Sequence, residues 1–280
     1  MAMPAGAAEP EADGAAVSAP VQRFSADGAR APEPDWIAAE VPLEVRVGGR
    51  PFSVLMRTPG QDEELVRGLF FAEGIIRSAE ELLSLRPLPS RGRVRRGDVV
   101  DVELARGRPV PRGQRSLYSN SSCGVCGKRT LASLELRGAA LRSELRVERR
   151  VLGALPAALR SAQAAFQQTG GMHASGLFDA EGRLLALRED VGRHNALDKL
   201  VGWALARGRV PLSDCVLGVS GRVSFEIAQK AIAAGLPLIA AVGAPSSLAL
   251  ELCERFGVTL IGFLRADAFN VYSWPERVAR

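Results

Sequence analysis

Residues 214–264 run DCVLGVSGRVSFEIAQKAIAAGLPLIAAVGAPSSLALELCERFGVTLIGFL, and the alternation of apolar and amphipathic stretches in this segment decides the fold class. Residues 214–220, 237–242 and 258–264 are apolar runs of strand length. Between them, 224–235 and 246–256 have helical length and composition. Strand-helix units of this size predict parallel strands joined by right-handed crossovers. The C-terminal half is thus α/β, built of parallel βαβ units. Such strands present their carboxyl ends on one edge, where open α/β sheets bind ligands. The ends here are 220–224, 243–247 and 264–268. The first two lead into helices, so backbone N–H groups with Ser220, Ser224, Ser246 and Ser247 can meet an anion there, and Arg222 and Arg265 add positive charge. A phosphate-bearing ligand is expected; ordinary serine capping is the competing explanation. The chain has no Gly-x-x-x-x-Gly-Lys-Ser/Thr loop and no strand-linked Gly-x-Gly-x-x-Gly, which disfavours ATP hydrolysis and simple NAD binding.

Upstream, residues 189–199 (EDVGRHNALDK) open a helix running to about residue 206, with Asp190 placed to cap it. Asp190, His194 and Asp198 at i, i+4, i+8 share one helical face and are expected to line a site. His173 and His194, both histidines of the chain, fall close together; for each, a packed or capping role competes with a functional one. Residues 151–168 favour helix despite Pro156, and 172–178 with 183–188 read as a hairpin. Nearer the N-terminus, 41–46 and 51–57 form a hairpin across Gly48-Gly49, 62–76 a helix, and 87–113 short strands. Residues 1–35 are rich in Ala, Pro and Gly without apolar period, which predicts a disordered tail. The organisation expected is this tail, an α+β subdomain over 36–145, and an α/β cofactor-binding subdomain over 146–280.

The tract Ser121-Ser122-Cys123-Gly124-Val125-Cys126-Gly127-Lys128 is the chemical signal in the first half. Two thiols three positions apart suit a redox or sulfur-carrying pair, half a zinc site, or a structural pair. Lys128 and Arg129 would favour thiolate. The four cysteines, two isolated at Cys215 and Cys253, do not form a secreted disulfide framework, so a reducing compartment is expected. No apolar run approaches the ~20 residues needed to cross a bilayer, and Glu9, Glu11 and Asp13 stand where a signal peptide would be basic and then apolar. A cytoplasmic protein with no membrane and no nucleic-acid partner is expected. Hydrophobic residues at 47% of the 280 are enough to bury a core. The net charge of +5 is modest; basic residues cluster over 86–115, either as a solvated hairpin surface or as a docking face for an acidic partner.

Seven blocks in chain order, 40–43, 63–76, 122–127, 169–173, 188–199, 220–226 and 263–272, together resemble the FdhD family of formate dehydrogenase accessory proteins. The resemblance spans residue 36 to the C-terminus. It implies a cytidine-deaminase-like three-layer core, usually dimeric. It also implies a sulfurtransferase acting as a persulfide carrier: a cysteine desulfurase delivers sulfur to the Cys-x-x-Cys loop, which passes it to molybdenum held by two pyranopterin guanine dinucleotides, for formate dehydrogenase as client. Cys123 maps to the persulfide carrier and Cys126 to its partner. The cofactor segment maps to Phe263, Leu264, Arg265, Ala266, Asp267 and Ala268; Ser220, Arg222 and His194 join it from the sheet edge as expected cofactor-binding residues. No resident metal and no zinc are expected. The competitors are a non-catalytic cofactor-binding chaperone and a zinc-dependent deaminase. The latter wants Pro-Cys-x-x-Cys and His-x-Glu, whereas Ser122 precedes Cys123 and His173-Ala174-Ser175 lacks the glutamate.

Overall fold

The computed structural model describes residues 14–88, 98–105, 118–119 and 140–279. The predicted βαβ units form as expected: β13 (Val216–Val219), α5 (Phe225–Ala233), β14 (Leu238–Ala241), α6 (Ser247–Phe256) and β15 (Thr259–Gly262). Strands β13, β14 and β15 pair in parallel. The hairpin β11 (His173–Phe178) and β12 (Leu184–Asp190) adds antiparallel to β13, and β16 (Asn270–Ser273) adds antiparallel to β15. The six-stranded order is β12-β11-β13-β14-β15-β16.

Strand periodicity divides the core between the two faces of this sheet. Leu217, Val219, Ile239, Ala241 and Leu260 meet α4 (Arg193–Ala206), α5 and α6 on one face. Val216, Leu238, Ala240 and Ile261 meet Leu152, Leu155 and Leu159 of α2 (Arg149–Ala162) on the other. The result is the three-layer α/β core that the resemblance implied.

The N-terminal part builds a second sheet, ordered β7-β8-β5-β6-β9. Its hairpin is β5 (Val41–Val47) and β6 (Arg50–Arg57), turned at Gly48 and Gly49, both at positive φ as a tight primed turn requires. Strand β8 (Val99–Leu104) pairs in parallel with β5, β7 (Leu82–Pro87) adds antiparallel to β8, and β9 (Tyr118–Ser119) runs parallel to β6. Helix α1 (Asp62–Ala72) packs its Leu65, Val66 and Phe70 into this sheet and lays its other side on α4. The two helices touch backbone to backbone. A Cβ at Gly68 would lie 1.9 Å from the Asp198 carbonyl oxygen, and one at Gly202 would lie 1.8 Å from that of Glu64. Only glycine permits the crossing.

Three features depart from the sequence-based expectations. Residues 16–38 are not tail: β1 (Ala16–Val21) pairs antiparallel with β4 (Glu33–Ala38), around the short strands β2 (Phe24–Ser25) and β3 (Gly28–Ala29). Composition hid this because the packing of β4 on α3 (Ala164–Thr169) is not local. The helix predicted over 151–168 is broken at Gln163, where the Glu189 carboxylate takes the N–H groups of Ala165 and Phe166, each at 2.9 Å, and caps α3 from another element. Helix α1 stops at Ala72 because Gly74 turns left-handed and Ile75 N–H returns to Phe70 O at 2.8 Å. The short pair β10 (Val147–Glu148) and β17 (Val278–Ala279) ties the C-terminus to the start of α2.

Candidate functional site

The three loops at the carboxyl ends of β13, β14 and β15 are laced into one surface. Gly243 N–H donates to Gly221 O at 3.0 Å, Val223 N–H to Ala244 O at 3.1 Å, Ser246 N–H to Val223 O at 2.9 Å and Phe263 N–H to Gly243 O at 3.1 Å. A Cβ at Gly243 would stand 2.8 Å from Gly221 O, so this lacing requires glycine.

Within this edge the predicted residues have unequal roles. Arg222 is exposed and makes no hydrogen bond or ion pair among the described residues. Arg265 donates Nη1 to the carbonyls of Val242 and Leu264, at 2.9 and 2.8 Å, which aims its guanidinium along the edge. Arg265 N–H closes a turn onto Ala268 O at 2.9 Å. Leu264 is buried in the core and anchors the loop, while Ala266, Asp267 and Ala268 are exposed. Phe263 is 46% exposed and adopts φ 53°, a left-handed conformation costly for a bulky residue. Ser220 Oγ accepts from Ala174 N–H at 2.9 Å, and Ser246 Oγ caps α6 by accepting from Ala249 N–H at 3.3 Å; both serve the fold. Cys123 and Cys126, with the basic run 91–96, lie outside the described residues.

His194 reaches this edge from the first turn of α4. Its Nε2 lies 3.2 Å from Ser224 Oγ and 3.1 Å from Glu226 Oε2. Ser224 occupies the N-cap of α5, yet its hydroxyl takes no α5 N–H. His173 packs beside Gly221, where a Cβ would meet its ring at 3.3 Å. Arg193 Nε is buried with no partner among the described residues. Glu226, Arg193 and the Ser224 contact escaped the sequence reading, because a pairing between two helix N-termini has no local signature; the nearness of the two histidines in sequence was its only trace.

Asp190 and Asp198 do not share an exposed helical face. Asp190 ends β12, and Gly192 is the cap of α4. Its oxygens accept from Gly192 N–H at 2.9 Å, Asn195 Nδ2 at 3.0 Å and Thr58 N–H at 3.1 Å, and Lys199 Nζ lies 2.8 Å away. Lys199 also donates to Thr58 O at 2.9 Å, and Asn195 to Met56 O at 2.8 Å. Asp198 is clamped by Lys230 Nζ on both oxygens. The Asp190–Lys199 pair binds the end of β6 to α4, the helix that carries His194, and the Asp198–Lys230 pair binds α4 to α5.

Burial, with Lys230, Arg193 and His173 nearby, pushes His194 down from 6.5 to about 3, so it is neutral at physiological pH. The unfolded chain protonates this histidine near 6.5 and the folded one only near 3. Its contribution to stability is complete above about pH 6.5 and is lost as pH falls towards 3, at up to about 1.4 kcal/mol per pH unit. His194→Gln is therefore expected to flatten the acid side of the stability profile, read as urea midpoints between pH 6.5 and 4.5. Burial lifts Asp198 to about 6, a contribution of opposite sign common to both proteins, so the difference between profiles isolates His194. Equal slopes would show that His194 is solvated in the folded state.

The fold and site define a three-layer α/β protein whose candidate ligand edge lies at the carboxyl ends of parallel strands, backed by a buried network to a second sheet. A model of the FdhD/NarQ family matches residues 38–279. The sulfur carrier protein FdhD of Nocardia farcinica is 47% identical over 254 residues, covering 87% of this chain and 88% of that protein. Its counterpart from Mycolicibacterium paratuberculosis is 49% identical over 251 residues, covering 88% and 92%, and that from Sulfolobus acidocaldarius 41% over 252 residues, covering 90% and 94%. A solved Desulfotalea psychrophila structure, provisionally assigned as a formate dehydrogenase accessory protein, superposes with a TM-score of 0.73 at 25% identity, over 94% of this chain and 99% of that one. The chain belongs to the FdhD/NarQ family.

Proposed function

We propose that this protein is a cytoplasmic sulfur carrier for formate dehydrogenase maturation. The thiolate of Cys123 attacks the outer sulfur of a cysteine desulfurase persulfide; the donor's S–S bond breaks, its thiolate leaves, and Cys123 holds the sulfur as a new persulfide. The sulfur then passes to the substrate, molybdenum in its bis(pyranopterin guanine dinucleotide) form, bound at the edge made by 220–224, 243–247 and 263–268. The protein acts as a homodimer and uses no zinc.

The observation that carries this function is 41% to 49% identity, over most of the chain, to proteins named sulfur carriers. Three features of the chain support it. Burial pushes the thiols of Cys215 and Cys253 up to about 12, which removes them as nucleophiles and leaves the Cys-x-x-Cys pair. Strand β9 runs parallel to β6, so at Ser119 the chain points towards the Thr58 end of β6, the end fastened to α4 behind His194. Cys123 follows Ser119 by four residues in sequence. Finally, the edge offers Arg222, Arg265 and the buried N–H of Arg193 to the pyrophosphates. Among the described residues no helix is long and apolar enough to cross a membrane.

The test is to incubate the wild-type protein with a cysteine desulfurase and cysteine and to weigh it intact. One added sulfur atom, removable by thiol reductant, is expected. An unchanged mass would favour a non-catalytic chaperone, and stoichiometric zinc in the purified protein would restore the deaminase reading. The edge is tested separately: Arg222→Ala with Arg265→Ala is expected to weaken GDP binding by roughly tenfold or more, the loss typical of charge-assisted hydrogen bonds. Unchanged affinity in calorimetry would place the nucleotide elsewhere.

A further inference from the structure

The contact between α4 and α5 has a chemical asymmetry. A neutral imidazole carries one N–H, and an ionised carboxylate can only accept. Glu226 Oε2 lies 3.1 Å from His194 Nε2, so an ionised Glu226 draws the proton to Nε2. Burial, with the Asp198 and Glu73 carboxylates nearby, raises the Glu226 carboxyl above its ordinary value, while Lys230 and Arg193 pull the other way and favour its ionised form. Ser224 Oγ, at 3.2 Å from the same nitrogen, is a second acceptor for that N–H. His194 Nδ1 has no hydrogen-bond partner among the described residues. The ring is fixed on one side and carries an uncommitted lone pair on the other.

We infer that Glu226 is a positioning residue which holds His194 as the Nε2–H tautomer, so that Nδ1 accepts a hydrogen bond from a ring N–H of the heterocycle bound at the sheet edge. The arrangement matches the way carboxylates orient histidines whose second nitrogen does the work. The ligand chemistry is the 2-amino-4-oxopyrimidine edge shared by guanine and pterin, which is rich in N–H donors. This rests on the cofactor site proposed above and adds to it the acceptor and the residue that orients it. A neutral His194 serves only as an acceptor here; no proton transfer is required.

Because the chain has two histidines, the imidazole nitrogen spectrum of the ¹⁵N-histidine-labelled full chain contains two spin systems, which His173→Gln assigns. The wild type is expected to show His194 as the Nε2–H tautomer. Glu226→Gln, whose amide can accept or donate, is expected to give a mixture. Saturating GDP and a soluble pterin form the two ligand arms. The arm that moves the Nδ1 resonance identifies the ring received at His194. Glu226→Gln is expected to weaken that ligand about tenfold and to have no further effect once His194 is alanine.

An Nδ1–H tautomer in the wild type, or a tautomer unchanged by Glu226→Gln, would overturn the positioning role whatever the ligand. Calorimetric binding of both probes with an unmoved Nδ1 resonance would overturn the contact while leaving the cofactor site standing. Failure of both probes to bind would remove the contact together with the proposed cofactor site, and sulfur loading, measured separately, would still report on the carrier function.

Discussion

Cys123→Ala is expected to abolish sulfur loading and to reduce the client formate dehydrogenase to background activity, with folding unaffected. The chemistry leaves little room for a partial effect. The acceptor of a persulfide sulfur must be a thiolate, and neither Cys215 nor Cys253 can substitute, since both are buried with thiols near 12. Cys215→Ala and Cys253→Ala are accordingly expected to load normally. Intact mass after incubation with desulfurase reads the first half of the prediction, and complementation of a carrier-deficient strain reads the second. Cys126→Ala separates the two sulfurs of the motif. Loading without client activity would make Cys126 the releasing thiol: its attack on Cys123 would close a disulfide and free the carried sulfur as sulfide, the two thiolates supplying two electrons. Loss of loading would instead make the pair act together at the first step. A Cys123→Ala protein that still gained one sulfur would overturn the assignment.

Lys199→Met is expected to destabilise the fold by about 3–5 kcal/mol, the range for leaving one partner of a buried ion pair uncompensated. Lys199 is fully buried, and its ammonium joins Asp190 to the carbonyl of Thr58. Three N–H donors remain on Asp190 after the substitution, which places the expected loss at the lower end of that range. Adding Asp190→Asn removes the stranded charge and is expected to recover part of the loss, so the double variant falls short of the sum of the singles. Urea midpoints of the four proteins give the cycle. Additive losses would mean that the two side chains do not act as a pair.

The same network links stability to function. Thr58 follows directly on β6, the strand against which β9 pairs; Asp190 ends β12 just ahead of α4, and Asn195 and Lys199 belong to α4, the helix that carries His194. Weakening the pair is therefore expected to loosen the joint between the second sheet and the edge proposed to hold the substrate. Gly68 and Gly202 reinforce the joint by letting α1 and α4 meet at their backbones.

Local chemistry determined much of this protein. Apolar runs of strand length between amphipathic stretches specify β13, α5, β14, α6 and β15, because burial on both faces of a parallel strand leaves a mark within the segment itself. The two glycines at residues 48 and 49 specify a hairpin, and the spacing of Cys123 and Cys126 narrows that pair to a redox or sulfur-carrying role, half a zinc site or a structural role. Tertiary structure decided what depends on a partner far along the chain. It ordered residues 16–38, whose two longer strands pair with each other and take their helix cover from α3, far along the chain. It moved Asp190 out of α4 and turned the polar face expected around it into buried pairs with Lys199 and Lys230, since lysines 9 and 32 residues away from their aspartates announce no pairing in sequence. It also set Glu226 against His194 at the meeting of two helix N-termini, a contact between side chains 32 residues apart that no periodicity could predict.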